Sequence, residues 1–354
     1  MPATSIDTFF ACSLAVVLVV SMMAALPRVL HPLIDGLDHK NDYEMLQQLA
    51  CYVLLNSGTP PDWGNSYNTP PTSFGLASNV FQPYTLDADK VTRLNGNCSY
   101  ALTYAQLLDS LRISNVALRI RVQTLFDIAI SEVSSVDNGN ETLYHFEIET
   151  QNLGSAVVSD LSCYVVFRDF VNSTLSQTDT SGAATVSLSV PNSANGTALL
   201  VVFARAEENP SMVSFGVCSF GHRVSAPQEN GVFTTLNPLD HVLNVTFNSV
   251  DEETAGAYAF SYGYQANLTI LSNSTGTVEY SFPLFLDQSS TVLVLTGLNG
   301  TESFAEWVAY PQVPLEIGVN FDSSTANSNV FSNTYMVTIN GALYRLRVEC
   351  RKVG

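Results

Sequence analysis

VALRIRVQTLFDIAISEVSS, residues 116–135, alternates apolar and polar positions along most of its length. A period of two marks half-buried strands, because successive side chains point to opposite faces of a sheet. This stretch reads as a strand pair. The pattern recurs downstream at 143–150 (LYHFEIET), 156–167 (AVVSDLSCYVVF), 182–190 (GAATVSLSV), 197–205 (TALLVVFAR) and 212–217. Turn residues separate these runs, VDNGN at 136–140 among them. Strands at this spacing predict a β-sandwich over 116–224. SAPQEN at 225–230 marks a boundary, and a second set of strands follows at 242–247, 258–264, 266–272, 276–286, 291–296, 335–339 and 342–350. Asn340-Gly341 between the last two is a two-residue hairpin signal. Residues 321–333, rich in Ser and Asn, read as an exposed loop. The expected fold is mainly β, with two β-sandwich domains at 116–224 and 225–354 behind a long N-terminal hydrophobic helix.

That helix is centred on residues 9–26, FFACSLAVVLVVSMMAAL, which hold no charge, Pro or Gly. At ~1.5 Å per residue it is about 27 Å long, close to the ~30 Å of a bilayer core. Three readings stand. A cleaved signal peptide explains Ala24 and Ala25 near its end, but no Lys or Arg precedes the run and it is longer than a usual signal core. A transmembrane anchor and a filament assembly helix share one physics, since both burials favour a helix apolar all round. Asp7 lies just ahead of the run, where the helix dipole favours a carboxylate. Pro27 and Pro32 kink or break the helix. DYEMLQQLACYVLLN, 42–56, then places Met45, Leu46, Leu49, Ala50, Val53 and Leu54 on one helical stripe, ended by Gly58 and Pro60-Pro61. Residues 1–56 thus form the hydrophobic helix. Residues 57–115 form a region of loops and short helices at 86–94 and 103–111, with Asp87 and Thr103 at capping positions.

The 354 residues are 46% hydrophobic and only 13% charged, with net charge −18 and three lysines, Lys40, Lys90 and Lys352. Such a surface repels phosphates, so nucleic acid is not an expected partner. Polarity comes from Ser, Thr, Asn and Gln, as on an exposed, glycosylated protein. Sequons begin at Asn97, Asn140, Asn172, Asn195, Asn244, Asn267, Asn273 and Asn299, all beyond the helical N-terminal part, and some arise by chance in so Asn-rich a chain. Cys12 reads as a small buried residue of the apolar run. Outside the cytoplasm the pairs expected are Cys163–Cys218, one cysteine per sheet of the first β-domain, and Cys51–Cys98, leaving Cys350 over; reduced core cysteines are the alternative. No HExxH, GxSxG, P-loop or GxGxxG motif occurs, and His31, His39, His145, His222 and His241 are scattered. Asp251-Glu252-Glu253 and Asp179 read as cation contacts or, more plainly, as a solvated turn and an Asx turn. No enzyme activity, metal or cofactor is expected.

A helix ending LLNSGTPPDWG (54–64), then SFGLAS (73–78), PYTLDADKVTRL (83–94), a Tyr104-x-x-Leu107 helix and an alternating strand resembles archaeal secreted proteins with type IV pilin-like N-termini. The likeness covers roughly residues 3–130. It implies a mature start at Ala3 and a carboxylate, Asp7, that meets the N-terminal amine of a neighbouring subunit during assembly. TDTSGAA (178–184) ahead of a strand resembles a turn of bacterial and archaeal immunoglobulin-like surface domains. The expected protein is a structural subunit of an extracellular filament. Its partners are copies of itself through the N-terminal helix, the cytoplasmic membrane before assembly, and covalent glycans. The competing expectation is a membrane-anchored adhesin or ligand-binding protein at the cell surface that never polymerises.

Overall fold

The structure is a computed structural model describing residues 43–78, 82–285, 287–322 and 330–353. The chain divides into the units Met1–Ala50 and Cys51–Gly354. Residues 43–55 form helix α1, on which Leu46, Ala50, Val53 and Leu54 are buried, as their spacing predicts. In the second unit a 3-10 turn, Trp63–Asn65, precedes β1 (Thr85–Leu86), α2 (Ala88–Thr92) and α3 (Tyr104–Leu111). Asp87 caps α2 by accepting from the Asp89 and Lys90 N–H groups, both at 3.0 Å. Thr103 and Gln106 form a reciprocal capping box on α3.

The rest is strand. β2 (Val116–Thr124), β3 (Asp127–Asp137), β4 (Glu141–Asn152), β5 (Ser155–Ala156), β6 (Ser159–Phe167), β7 (Phe170–Gln177), β8 (Ala183–Pro191), β9 (Gly196–Ala206) and β10 (Val213–His222) come first. Then follow β11 (Thr234–Leu239), β12 (Val242–Phe247), β13 (Glu252–Phe260), β14 (Gln265–Asn267), β15 (Thr269–Ser274), β16 (Thr277–Ser281), β17 (Thr291–Asn299), β18 (Glu302–Tyr310), β19 (Leu315–Gly318), β20 (Phe331–Ile339) and β21 (Ala342–Lys352).

Among the described residues they make four sheets: β1-β20-β21-β2-β19; β3-β4-β5 with β8 on β4; β14-β13-β17-β18-β9-β6-β7 with β10 on β9; and β11-β12-β16-β15. The mainly β expectation is met, but the strands of 116–135 do not pair with each other. β2 pairs with β21 and β19, β3 with β4, and buried Leu125 and Phe126 turn the corner between the two sheets. Nor does a sheet boundary fall between residues 224 and 225. β9 and β18 share one sheet, and β21 returns beside β2. The β9–β18 junction is the single pair Gly196–Ser303. Gly196 has φ +148, and a Cβ there would lie 2.5 Å from the Ser303 Cβ, so only glycine allows this approach. β1, β7, β11, β18 and β19 fall where no strand is expected from the pattern. β18 nonetheless follows a two-residue turn, Gly300-Thr301, between Asn299 and Glu302, which are paired.

Among the described residues, two apolar cores explain the layering of these sheets. In one, Tyr144, Phe146 and Ile148 of β4 and Val186, Leu188 and Val190 of β8 meet Cys163 and Val165 of β6 and Leu200 and Val202 of β9. In the other, the opposite face of β6 and β9 (Tyr164, Val166, Leu199, Val201, Phe203) meets Phe260 of β13, Val292 and Val294 of β17 and Ala305 of β18. The sheet therefore turns back on itself at the Gly196–Ser303 junction. β9 is buried on both faces, which is why LLVVF at 199–203 is continuously apolar rather than alternating.

Candidate functional sites

The assembly residues Ala3 and Asp7, the run 9–26, Cys12, Pro27 and Pro32 lie outside the described residues. Among the described residues, no helix is long and apolar enough to cross a membrane.

None of the eight sequon asparagines is buried: Asn97, Asn140, Asn195, Asn267 and Asn273 are exposed, and Asn172, Asn244 and Asn299 half-buried. Asn140 sits in the β3–β4 turn, Asn195 just before β9, and Asn273 on the edge strand β15.

The cysteine pairings are corrected by the sheet register. Cys163 of β6 lies opposite Val202 of β9, and Cys218 of β10 opposite Leu200 of β9. Both belong to one sheet and flank one strand, two residues out of register, so at ~4.8 Å per strand step and ~3.4 Å per residue they stand roughly 12 Å apart. Bridging requires Cα atoms within ~7 Å. Both are free thiols, as are Cys51 and Cys98, so the expected Cys51–Cys98 bond is not formed either. Burial pushes the Cys163 thiol up to about 12.

The blocks that carry the pilin-like resemblance within the second unit converge on two buried cations. The Lys90 ammonium donates to the carbonyls of Ser57 (2.9 Å) and Ala77 (2.8 Å). The Arg93 guanidinium donates to the carbonyls of Trp63, Thr69 and Tyr100, and its carbon lies 5.5 Å from the centroid of the Trp63 ring. The Trp63 indole in turn donates to the Gly75 carbonyl at 3.0 Å. PDWG, SFGLAS and DADKVTRL are thus parts of one knot, and loop carbonyls satisfy the cations that burial would otherwise penalise. Beside it, Asp89 accepts from the Tyr310 hydroxyl and the Asp240 N–H, both at 2.8 Å; burial raises its carboxyl above the ordinary range. One sequence signal pointed here: Lys90 is one of only three lysines.

On β2, Arg119 is 1% exposed. It makes a two-pronged pair with Asp322 (2.9 and 3.0 Å) and a further pair with buried Glu349, while Arg121 pairs with Glu316 at 2.6 Å and with Asp322. Hydrogen bonds from both arginines hold the Asp322 carboxyl well below its usual range. The Phe321 ring lies 5.4 Å from Arg119 and 5.6 Å from Arg351. This network ties residues 316–322 to the sheet. Asp179 accepts from the N–H groups of Ser181 (2.8 Å) and Ala183 (3.1 Å), an Asx turn.

A cleft of about 550 Å3, one of several on the described residues, is bordered by β11, β18, the 95–97 turn, the 230–231 loop and residues 312–314. Buried Glu306 accepts from Phe233 N–H (2.7 Å), Thr234 N–H (2.9 Å) and the Thr234 hydroxyl. Burial raises its carboxyl despite these donors. The Asn230 amide brackets the Trp307 backbone, accepting from its N–H at 2.8 Å and donating to its carbonyl at 3.1 Å. No protein-family model matches the chain, and no curated protein matches it.

Proposed function

We propose that this protein is the structural subunit of an extracellular, type IV pilus-like filament. The observation that carries the reading is the uncharged run 9–26 with Asp7 just ahead of it, followed by a β-rich body. Before assembly the run lies in the cytoplasmic membrane. In the filament it packs against identical helices, where apolar burial contributes roughly 25 cal/mol per Å2. A neighbour's N-terminal amine neutralises Asp7, whose lone burial would be costly. The two sheets around β4, β6, β8 and β9 are read as an immunoglobulin-like sandwich exposed for adhesion or contact, and the exposed sequons as glycan carriers. Two features support the reading: the unit Cys51–Gly354 encloses its own cores, and none of the eight sequon asparagines is buried.

Electron microscopy of material sheared from the native cells, with the N-terminal peptide identified by mass spectrometry, tests the proposal. Filaments containing the chain with a mature start at Ala3 are expected, and Asp7→Ala should abolish them while the protein accumulates in the membrane. A chain found only in the membrane fraction, with assembly indifferent to Asp7, would establish the anchored adhesin instead.

A further inference from the structure

We infer that the cleft between β11 and β18 seats a neutral sugar, and that its occupant is the first part of a glycan attached to Asn97. The inference rests on the glycoprotein part of the reading above and adds a place for one glycan. Three observations meet at this cleft. Asn97 lines it, is exposed, and its side-chain amide makes no hydrogen bond among the described residues. Its sequon is held against β11, because the Ser99 N–H donates to Asn237 Oδ1 at 2.6 Å. Gln312, which also lines the cleft, is 5% exposed, yet its Oε1 has no partner among the described residues. A buried acceptor left unpaired costs about 1–3 kcal/mol; Oε1 is closed off from solvent as it stands, so a ligand hydroxyl recovers that cost only when the Gln312 amide turns toward the cleft.

The lining chemistry selects the ligand class. Glu306 uses three of the roughly four acceptor sites of a carboxylate, so one remains for a hydroxyl donor. Asn230 keeps one N–H and one lone pair beyond its bonds to Trp307. Among the described residues no Lys or Arg lines the cleft, which disfavours phosphates and acidic sugars. Its volume, about 550 Å3, falls within the ~300–1,000 Å3 of small-molecule sites. A polyhydroxylated ring that both donates and accepts matches these groups. Attachment makes weak contacts sufficient, because a tethered ligand is present at an effective concentration in the millimolar range. In the modification itself, Asn97 Nδ2 forms a bond to the anomeric carbon of a phosphate-activated glycosyl donor. The bond from that carbon to the phosphate oxygen breaks, and the amide proton leaves with the released phosphate.

The test uses full-length protein from the native cells. Glycopeptide mass spectrometry reads occupancy at each sequon, and hydrogen exchange compares wild type, Asn97→Gln and Gln312→Ala. Occupied Asn97 is expected, with exchange at residues 230–236 and 306–314 slowed on the order of tenfold relative to Asn97→Gln. Gln312→Ala should lower Tm by more in the glycosylated protein than in the Asn97→Gln background, where only the loss of buried packing remains. Oligosaccharide released from the wild type should restore part of the protection when added to Asn97→Gln. A bare Asn97 with glycans at other sequons overturns the seat and leaves the surface-glycoprotein reading standing. Bare sequons throughout sink both. Additive effects of the two substitutions, without protection, place the Asn97 glycan in solvent and overturn the inference.

Discussion

His222 shows how one buried side chain acquires a defined proton. It is completely buried, with Nε2 3.1 Å from the Pro191 carbonyl and Nδ1 2.9 Å from the Tyr144 hydroxyl. A carbonyl only accepts, so Nε2 carries the hydrogen, and Nδ1 of the neutral ring accepts from tyrosine. Burial, with Arg223 adding to it, lowers the imidazole pKa from its ordinary 6.5. A base with a lowered folded pKa is at full stability above its unfolded value. As pH falls through that value the unfolded chain takes the proton first, and stability declines until the folded pKa is reached. Buried Asp89 and Glu306, whose carboxyls are raised, work in the opposite sense. The difference between wild type and His222→Gln therefore isolates the histidine. Thermal melts should show wild type losing more Tm than the variant between about pH 7 and pH 5; parallel curves would refute a neutral buried His222.

Among the elements, strands of similar composition differ in what surrounds them. β21 lies between β2 and β20 over nearly its whole length, and Leu346, opposite Val122 and Tyr335, is fully buried. β15 is the edge of its sheet, with Ile270 and Leu271 both over half exposed. Leu346→Ala should cost about 2–5 kcal/mol, since a core leucine leaves a cavity. Ile270→Ala should stay within about 0.5 kcal/mol. Urea unfolding of the two variants checks the contrast, and equal losses would mean that β15 is covered in solution. The eleven residues of β21 are thus a central strand of a sheet begun more than two hundred residues earlier.

For the whole molecule, the consequence concerns independence. The core shared by β6, β9, β13, β17 and β18 draws on residues from both sides of 224. Fragments 116–224 and 225–354 should each fail to fold alone, because each would expose half of that core and the first would also lose the partner of β2. The unit Cys51–Gly354 should melt in one cooperative transition, measured by circular dichroism and calorimetry. A fragment 225–354 with a sharp transition of its own would restore the sequential division.

Much of the local structure was legible in the residues. The α1 stripe, the caps at Asp87 and Thr103, the Asn340-Gly341 turn (φ 49 and 87) and most strands follow from periodicity and turn chemistry, which act over a few neighbours. What only the tertiary structure decided lies at long range. Alternation in 116–135 marks two strands but carries no information on their partners, and these proved to be β4 for one and β19 and β21 for the other. β18 was missed because burial on both faces makes ESFAEWVAY neither alternating nor uniformly apolar, with Glu306 satisfied by donors from 233–234. Cysteine spacing could not tell two sheets from two flanks of one strand. The buried Lys90, Arg93 and Arg119 look like surface residues in a list of amino acids, and only the carbonyls and carboxylates that fold around them make their burial affordable. The sequence alone determined an uncharged membrane-length run ahead of an acidic, strand-rich body. Which strands meet, and which polar groups the cores enclose, depended on contacts between residues far apart in the chain, whose ordering no local pattern encodes.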